Sequence, residues 1–283
     1  MTTKPGALKG RSAPGRWSTW RQIVQGAFLA WALIASMRHL ILADGGSIEA
    51  SCPFGAVETA WSRLASGTFL RHLAPSNVVA LILVVLSALA LGRIFCGWVC
   101  PIGTLQDALA ALMRRLTGRE GGLPLRLPRK VDRPLRYLKY LVLGWVLWAS
   151  VSAVVPPLAP FCPFRTLFEF NLGSLLSLGV ALTFAGLSLT VERFWCRYLC
   201  PLGALLVLFN RVSPFRPRVN AERCVACGRC EAACPAGIDP VKDGTNHPEC
   251  VRCYACVEAC RRPGAVELGS AKVVVGAYQT RQK

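Results

Sequence analysis

Cys224-Val-Ala-Cys227-Gly-Arg-Cys230-Glu-Ala-Ala-Cys234-Pro235 and Cys250-Val-Arg-Cys253-Tyr-Ala-Cys256-Val-Glu-Ala-Cys260 lie close together near the end of this chain. Each run has the spacing C-x2-C-x2-C-x3-C. That spacing wraps three thiolates around one face of an iron–sulfur cubane and sends the fourth to a neighbouring cluster. Cys224, Cys227, Cys230 and Cys260 are therefore the expected ligands of one [4Fe–4S] centre, and Cys250, Cys253, Cys256 and Cys234 of a second. Structural zinc also uses C-x2-C pairs, but it separates them by a longer loop and needs no third cysteine in register. The tandem recurrence points to clusters, and so to a chain that moves electrons one at a time.

Outward from these runs the sequence changes character. The mean hydropathy is +0.41 over 283 residues, and the apolar residues gather into four blocks near the ~20 residues that cross a hydrocarbon core. They run over 23–42, 76–95, 135–155 and 173–191, with too few polar residues for a solvent face. The expected fold class is an integral membrane α-helical domain of four transmembrane helices in two parallel repeats, followed by a C-terminal α+β two-cluster ferredoxin domain. Residues 1–21 form a basic arm, 22–215 the membrane domain, 216–270 the ferredoxin domain and 271–283 a tail. The first fifteen residues are expected to be disordered, and Val273 to Val275 to make a short closing strand.

The formal charge of +18 is distributed for topology rather than for nucleic acid. Lys4, Lys9, Arg11, Arg16 and Arg21 precede the first block, and seven basic residues from Arg114 to Arg133 separate the second from the third. Lys and Arg stay on the cytoplasmic side during insertion. This places the arm, the central loop and the ferredoxin domain in the cytoplasm, at a bacterial inner membrane. Lipid is an expected partner, and nucleic acid is not.

The other six cysteines repeat as well. Cys52-Pro53-Phe54 precedes a block ending Arg93-Ile94-Phe95-Cys96-Gly97-Trp98-Val99-Cys100-Pro101-Ile102-Gly103. Cys162-Pro163-Phe164 precedes one ending Arg193-Phe194-Trp195-Cys196-Arg197-Tyr198-Leu199-Cys200-Pro201-Leu202-Gly203. The repeats span 52–103 and 162–203, about a hundred residues apart, and pseudo-symmetry brings the two C-x3-C-P segments together. Cys96, Cys100, Cys196 and Cys200 are thus candidates for one further cluster or metal. A lone cysteine would be read as a buried apolar thiol; two matched pairs call for more. Cys52 and Cys162 are expected on the opposite side, as a disulfide or, if their loops dip inward, as part of a site.

Paired C-x3-C-P motifs ahead of a two-cluster ferredoxin segment resemble the membrane-bound polyferredoxins of the NapH and MauN type, over roughly residues 20 to 265. The resemblance implies an electron-transfer protein working between the quinone pool, or a periplasmic dehydrogenase system, and other electron-transfer proteins. It leaves quinol dehydrogenase activity open as an enzymatic role. Quinol oxidation needs a base beside a redox centre; Glu58, Glu169, His39 and His72 are the candidates, each with an innocent alternative as an interfacial or capping group. Two other classes of function stay open: a cluster-dependent Cu(II) reductase for copper-enzyme maturation, since thiolates suit Cu(I), and an anchor that only wires a larger dehydrogenase. No Rossmann fingerprint, P-loop or haem-attachment motif occurs in the sequence.

Overall fold

The computed structural model describes residues 15–42, 52–66, 75–117, 125, 127–152, 158–170, 174–220, 222–244 and 247–269. A long helix, α1 (Arg16–Leu42), leads into two copies of one helical pattern. The first comprises α2 (Pro53–Ser66), α3 (Pro75–Leu91), the one-turn α4 (Ile94–Trp98) and α5 (Pro101–Leu116). Between the copies lie α6 (Arg129–Leu135) and α7 (Leu138–Ser152). The second comprises α8 (Pro163–Phe168), α9 (Leu175–Thr190), α10 (Phe194–Tyr198) and α11 (Pro201–Val212).

Proline sets the joints. A residue before proline is driven from the helical to the extended region. Cys100, Cys162 and Cys200 all take it (φ/ψ −62/118, −80/114 and −68/113), while Pro101, Pro163 and Pro201 start new helices. In both copies the second cysteine of C-x3-C closes the same turn: the Cys100 N–H donates to Phe95 O and the Cys200 N–H to Trp195 O, each at 2.9 Å. The copies interlock. The last helix of each packs on the apolar helix of the other, α5 on α9 and α11 on α3.

The ferredoxin segment begins directly after α11. Strand β1 (Arg216–Val219) pairs antiparallel with β2 (Val266–Gly269), Arg216 opposite Gly269 and Val219 opposite Val266. Two short helices, α12 (Arg229–Ala232) and α13 (Ala255–Ala259), lie between the strands. The closing strand is therefore Val266–Gly269; the one expected at Val273 to Val275 falls outside the described residues, as do residues 1–14 of the basic arm. Residues 16–21 of that arm belong to α1.

Four transmembrane helices are not found. Among the described residues no helix is long and apolar enough to cross a membrane. Hydropathy windows run across chain breaks that the backbone makes. The block 76–95 straddles the turn at Gly92 and Arg93, so α3 keeps 17 residues, and 135–155 straddles the turn after Leu135, leaving α7 with 15. α9 has 16. At about 1.5 Å per residue these reach roughly 23–26 Å, short of a core about 30 Å thick. α1 has the length, at 27 residues, but carries Arg16, Arg21, Gln25, Arg38 and His39.

The ferredoxin segment is seated on the first repeat. A Cβ built on Gly97 would run into the carbonyl of Val251, and the Trp98 indole N–H donates to Arg252 O at 3.0 Å. Gly97→Ala is expected to cost about 1–3 kcal/mol through overpacking, seen as a lower denaturation midpoint and faster hydrogen exchange across 250–254. Gly26→Ala, on an open face of α1 with nothing within 4 Å, is the control and should leave both unchanged or slightly improved.

Candidate metal centres

Cys234, Cys250, Cys253 and Cys256 line one cavity, walled by Pro217, Ala236, Ile238 and Tyr254. The fourth cysteine of the first run thus joins three of the second. Both loops are wound alike around their middle cysteine. Ala226 and Gly228 flank Cys227 at φ 50° and 71°, and Arg252 and Tyr254 flank Cys253 at 53° and 58°. Left-handed backbone costs non-glycine residues roughly 1–2 kcal/mol each, and such strain persists only where the surroundings over-determine it. Burial, then the neighbouring Cys253, pushes the Cys234 thiol up to about 12.

The companion set is nearer the surface. Cys230 is buried, its thiol pushed up to about 11 mainly by desolvation, and it senses Cys224 electrostatically. Cys227 is exposed and Cys224 and Cys260 are half-buried. The Cys260 thiol donates to Arg262 O at 3.5 Å.

The interlocked repeats bring Cys96, Cys100, Cys196 and Cys200 together. Cys96 and Cys196 are buried, and Cys100 and Cys200 half-buried. All four act on one another electrostatically, and desolvation raises Cys100 to about 12, with Cys196 and Cys200 also raised. Gly103 and Gly203 keep the approach open, since a Cβ at Gly103 would lie 2.8 Å from Cys96 O and one at Gly203 3.0 Å from Arg93 Nη2. Cys52 and Cys162 pack against the apolar core that contains Cys96 and Cys253 and that Cys200 also flanks.

The set of Cys234, Cys250, Cys253 and Cys256, placed around one cavity, fits an iron–sulfur cluster. Ligands of one metal ion must converge to about 2.3 Å for sulfur, and among the described residues no group of three or more His, Cys, Asp or Glu does so. A cubane spreads its thiolates over four iron corners, which suits thiols set around a cavity. Three buried guanidinium N–H groups, Arg93 Nε, Arg197 Nε and Arg252 Nη1, also find no acceptor among the described residues, and cluster or thiolate sulfur is an acceptor.

The weaker candidates fare differently. Glu58 is buried in α2. Glu169 caps α8 and takes a 2.9 Å ion pair from Arg165, a structural duty. His39 lies on α1 with its side chain outside the described residues, and His72 lies wholly outside them.

Sequence reasoning missed three carboxylates, Asp132 and Glu249 buried and Asp107 partly so, each holding two cations. Asp107 takes Arg21 and Arg193, Asp132 takes Arg136 and Arg197, and Glu249 takes Arg93 and Lys139. The signal was present in the arginine three residues before Cys96 and before Cys196.

The 4Fe-4S dicluster domain family matches residues 216–261, and the 4Fe-4S binding domain family matches 73–120 and 174–220, one match on each repeat. MauN, the methylamine utilization ferredoxin-type protein of Methylobacillus flagellatus, is 32% identical over 250 residues, covering 82% of this chain and 81% of MauN. The ferredoxin-type protein NapH of Haemophilus influenzae is 30% identical over 240 residues, covering 78% and 75%. The chain belongs to the NapH/MauN-type polyferredoxin family. YccM of Escherichia coli is 30% identical over 262 residues, 83% of this chain and 71% of YccM. No solved structure matches. As a polyferredoxin of this type, the protein is an iron–sulfur electron-transfer protein that carries [4Fe–4S] clusters.

Cys227→Ser is expected to remove one of the two ferredoxin cluster signals in EPR and to lower iron by about four per chain; an unchanged spectrum would reject Cys227 as a ligand. A second expectation concerns acid. Burial works against ionised Asp107, but Arg193 and Arg21 outweigh it and hold the carboxyl well below the usual range. Its contribution is therefore full above the unfolded carboxylate pKa of about 4 and is lost only as pH falls through the depressed folded value. Trp17 packs edge-on against Trp98 at 6.4 Å, so its fluorescence should report α1 docked down to about pH 4 in the native protein and displaced even at neutral pH in Asp107→Asn.

Proposed function

We propose that this polyferredoxin relays single electrons between a surface-exposed cluster site and an inner site at the interface of the two repeats. The carrying observation is the contact of Val251 with Gly97. It sets the second cysteine loop directly on the first C-x3-C-P segment. Three donor sets then lie in order. Cys224, Cys227, Cys230 and Cys260 would hold the outermost cluster, with Cys227 open to a partner. Cys234, Cys250, Cys253 and Cys256 would hold the middle one. Cys96, Cys100, Cys196 and Cys200 would hold the innermost. Bound clusters supply one-electron carriers; the chain supplies their order, their exclusion from water and their counter-charges.

The partner of the inner end is read from the apolar surface. Ile34 and Leu40 on α1, Ile82 and Leu83 on α3, Trp148 on α7 and Leu182 on α9 are all exposed. Exposed apolar area on this scale marks an interaction surface, and lipid and a lipid-soluble quinol have the chemistry to cover it. The proposed place is the bacterial inner membrane, with the clusters facing the cytoplasm, where thiols stay reduced. The matches to the ferredoxin-type proteins NapH and MauN support a donor or acceptor among other electron-transfer proteins.

Iron analysis with anaerobic quinol titration tests this. About twelve irons per chain are expected, falling by about four in Cys196→Ser, and a short-chain quinol should reduce the wild-type clusters. About eight irons in both proteins would remove the inner site. Clusters that dithionite reduces and quinol does not, at potentials quinol can reach, would move the donor from quinol to a protein.

A further inference from the structure

Arg93 and Arg193 occupy equivalent places, three residues before the first cysteine of each repeat, and each reaches across to the other. Arg193 Nη1 donates to Cys96 O at 2.9 Å, and Arg93 Nη2 lies 3.5 Å from Cys196 O. Both residues are about 1% exposed. The exchange is reciprocal, so neither C-x3-C-P segment has its arginine contact until both repeats are in place.

The charges around them are reciprocal too. Arg93 shares Glu249 with Lys139, and Arg193 shares Asp107 with Arg21. Each set holds two cations on one carboxylate and so one positive charge in excess. Buried charge without a counter-ion is costly, and two such sets flank one space. The groups that supply the answering negative charge there are the four cysteines as cluster-bound thiolates. Arg93 lies close enough to act electrostatically on Cys96 and Cys196, and Arg193 on Cys196 and Cys253. Four thiolates around a [4Fe–4S]2+ core carry two negative charges net, the sign that Arg93 and Arg193 answer. Arg93 Nε, buried and without an acceptor among the described residues, is a donor left over for this site.

We propose that Arg93 and Arg193 are the paired counter-charges of a cluster held by Cys96, Cys100, Cys196 and Cys200, and that they hold its reduction potential up. This rests on the inner cluster proposed above. Net charge and hydrogen bonds to sulfur set such potentials, and a fixed cation favours the more negative, reduced form. Arginine suits the duty because its guanidinium keeps its charge at every physiological pH. The two are positioning residues and need not touch a redox partner.

Redox titration by EPR on the full chain tests the proposal. Arg93→Gln and Arg193→Gln should each lower the reduced-to-oxidised ratio of the inner signal, the one lost in Cys196→Ser, about tenfold at fixed poise. For one electron that is about 59 mV. Arg193→Lys should recover most of the shift. Because the glutamine variants remove structural contacts as well, Lys139→Gln and Arg21→Gln provide a second arm. They remove the excess charge while Arg93 and Arg193 keep their carbonyls, and they should shift the same signal in the same direction, by less. An inner signal whose midpoint stays at the wild-type value in the charge-removing variants overturns the proposal and leaves the inner cluster standing. Iron content unchanged by Cys196→Ser removes the cluster and the proposal together.

Discussion

The structure depends on buried and partly buried carboxylates that each bind two cations. Asp107 joins α1 and α5 to the turn before α10; Asp132 joins α6 to α10; Glu249 joins the second cysteine run to Arg93 and to α7. Every one lies on a seam between segments that are far apart in sequence. Removing one partner from a buried ion pair costs about 3–5 kcal/mol, a large share of what a domain has to spare. The ferredoxin segment is therefore fastened to the repeats rather than tethered to them. Asn210 adds neutral bonds to the same seam, donating to Pro248 O and Cys250 O at 2.7 Å and accepting the Arg93 N–H at 2.9 Å.

Legibility in the sequence followed the range of the interaction. The cysteine runs were readable because a cubane imposes a local spacing, and the C-x3-C-P repeats because proline imposes a local joint. Two repeats of one orientation implied that the paired segments would meet, and Cys96, Cys100, Cys196 and Cys200 do meet. Hydropathy was a poorer guide. A window average cannot register that Gly92 turns at φ 67° or that the chain turns again after Leu135, and both breaks fall inside apolar stretches. Lys139 shows the same blindness. It lies inside the apolar block 135–155, yet it is fully buried on Glu249, a partner 110 residues away that no local pattern announces.

The placement of the cysteines grades them by access. Cys227 meets solvent, Cys253 is buried, and Cys96 shares an apolar core with Cys253. Trp17, Trp98 and Tyr254 stack along the same boundary, with ring centres 5.4 to 6.4 Å apart. The Ser18 N–H donates to Glu258 at 2.8 Å, so the first turn of α1 closes over the junction between the second cysteine loop and the first repeat. An exposed end and a dry interior are what a relay requires: one site open to a partner, and inner sites where water does not dissipate the field of fixed charges.

Two equivalent positions explain why a pseudo-symmetric pair of repeats carries one ferredoxin segment in one orientation. The residue after the first cysteine of C-x3-C is Gly97 in one copy and Arg197 in the other. Gly97 has no side chain, and the Val251 carbonyl occupies the space. Arg197 fills its side instead. It pairs with Asp132 and lies against Gly237, in the loop that follows Cys234, while Arg136 from the same cluster donates to Ala236 O at 3.0 Å. The copies thus hold opposite ends of one cluster's donor set, Val251 beside Cys250 on the glycine side and the stretch after Cys234 on the arginine side. Exchanging the two residues would offer a clash where the loop must approach and a gap where it must be held. The two C-x3-C-P segments share one turn, and side-chain size at this pair of positions makes their contacts with the ferredoxin segment different.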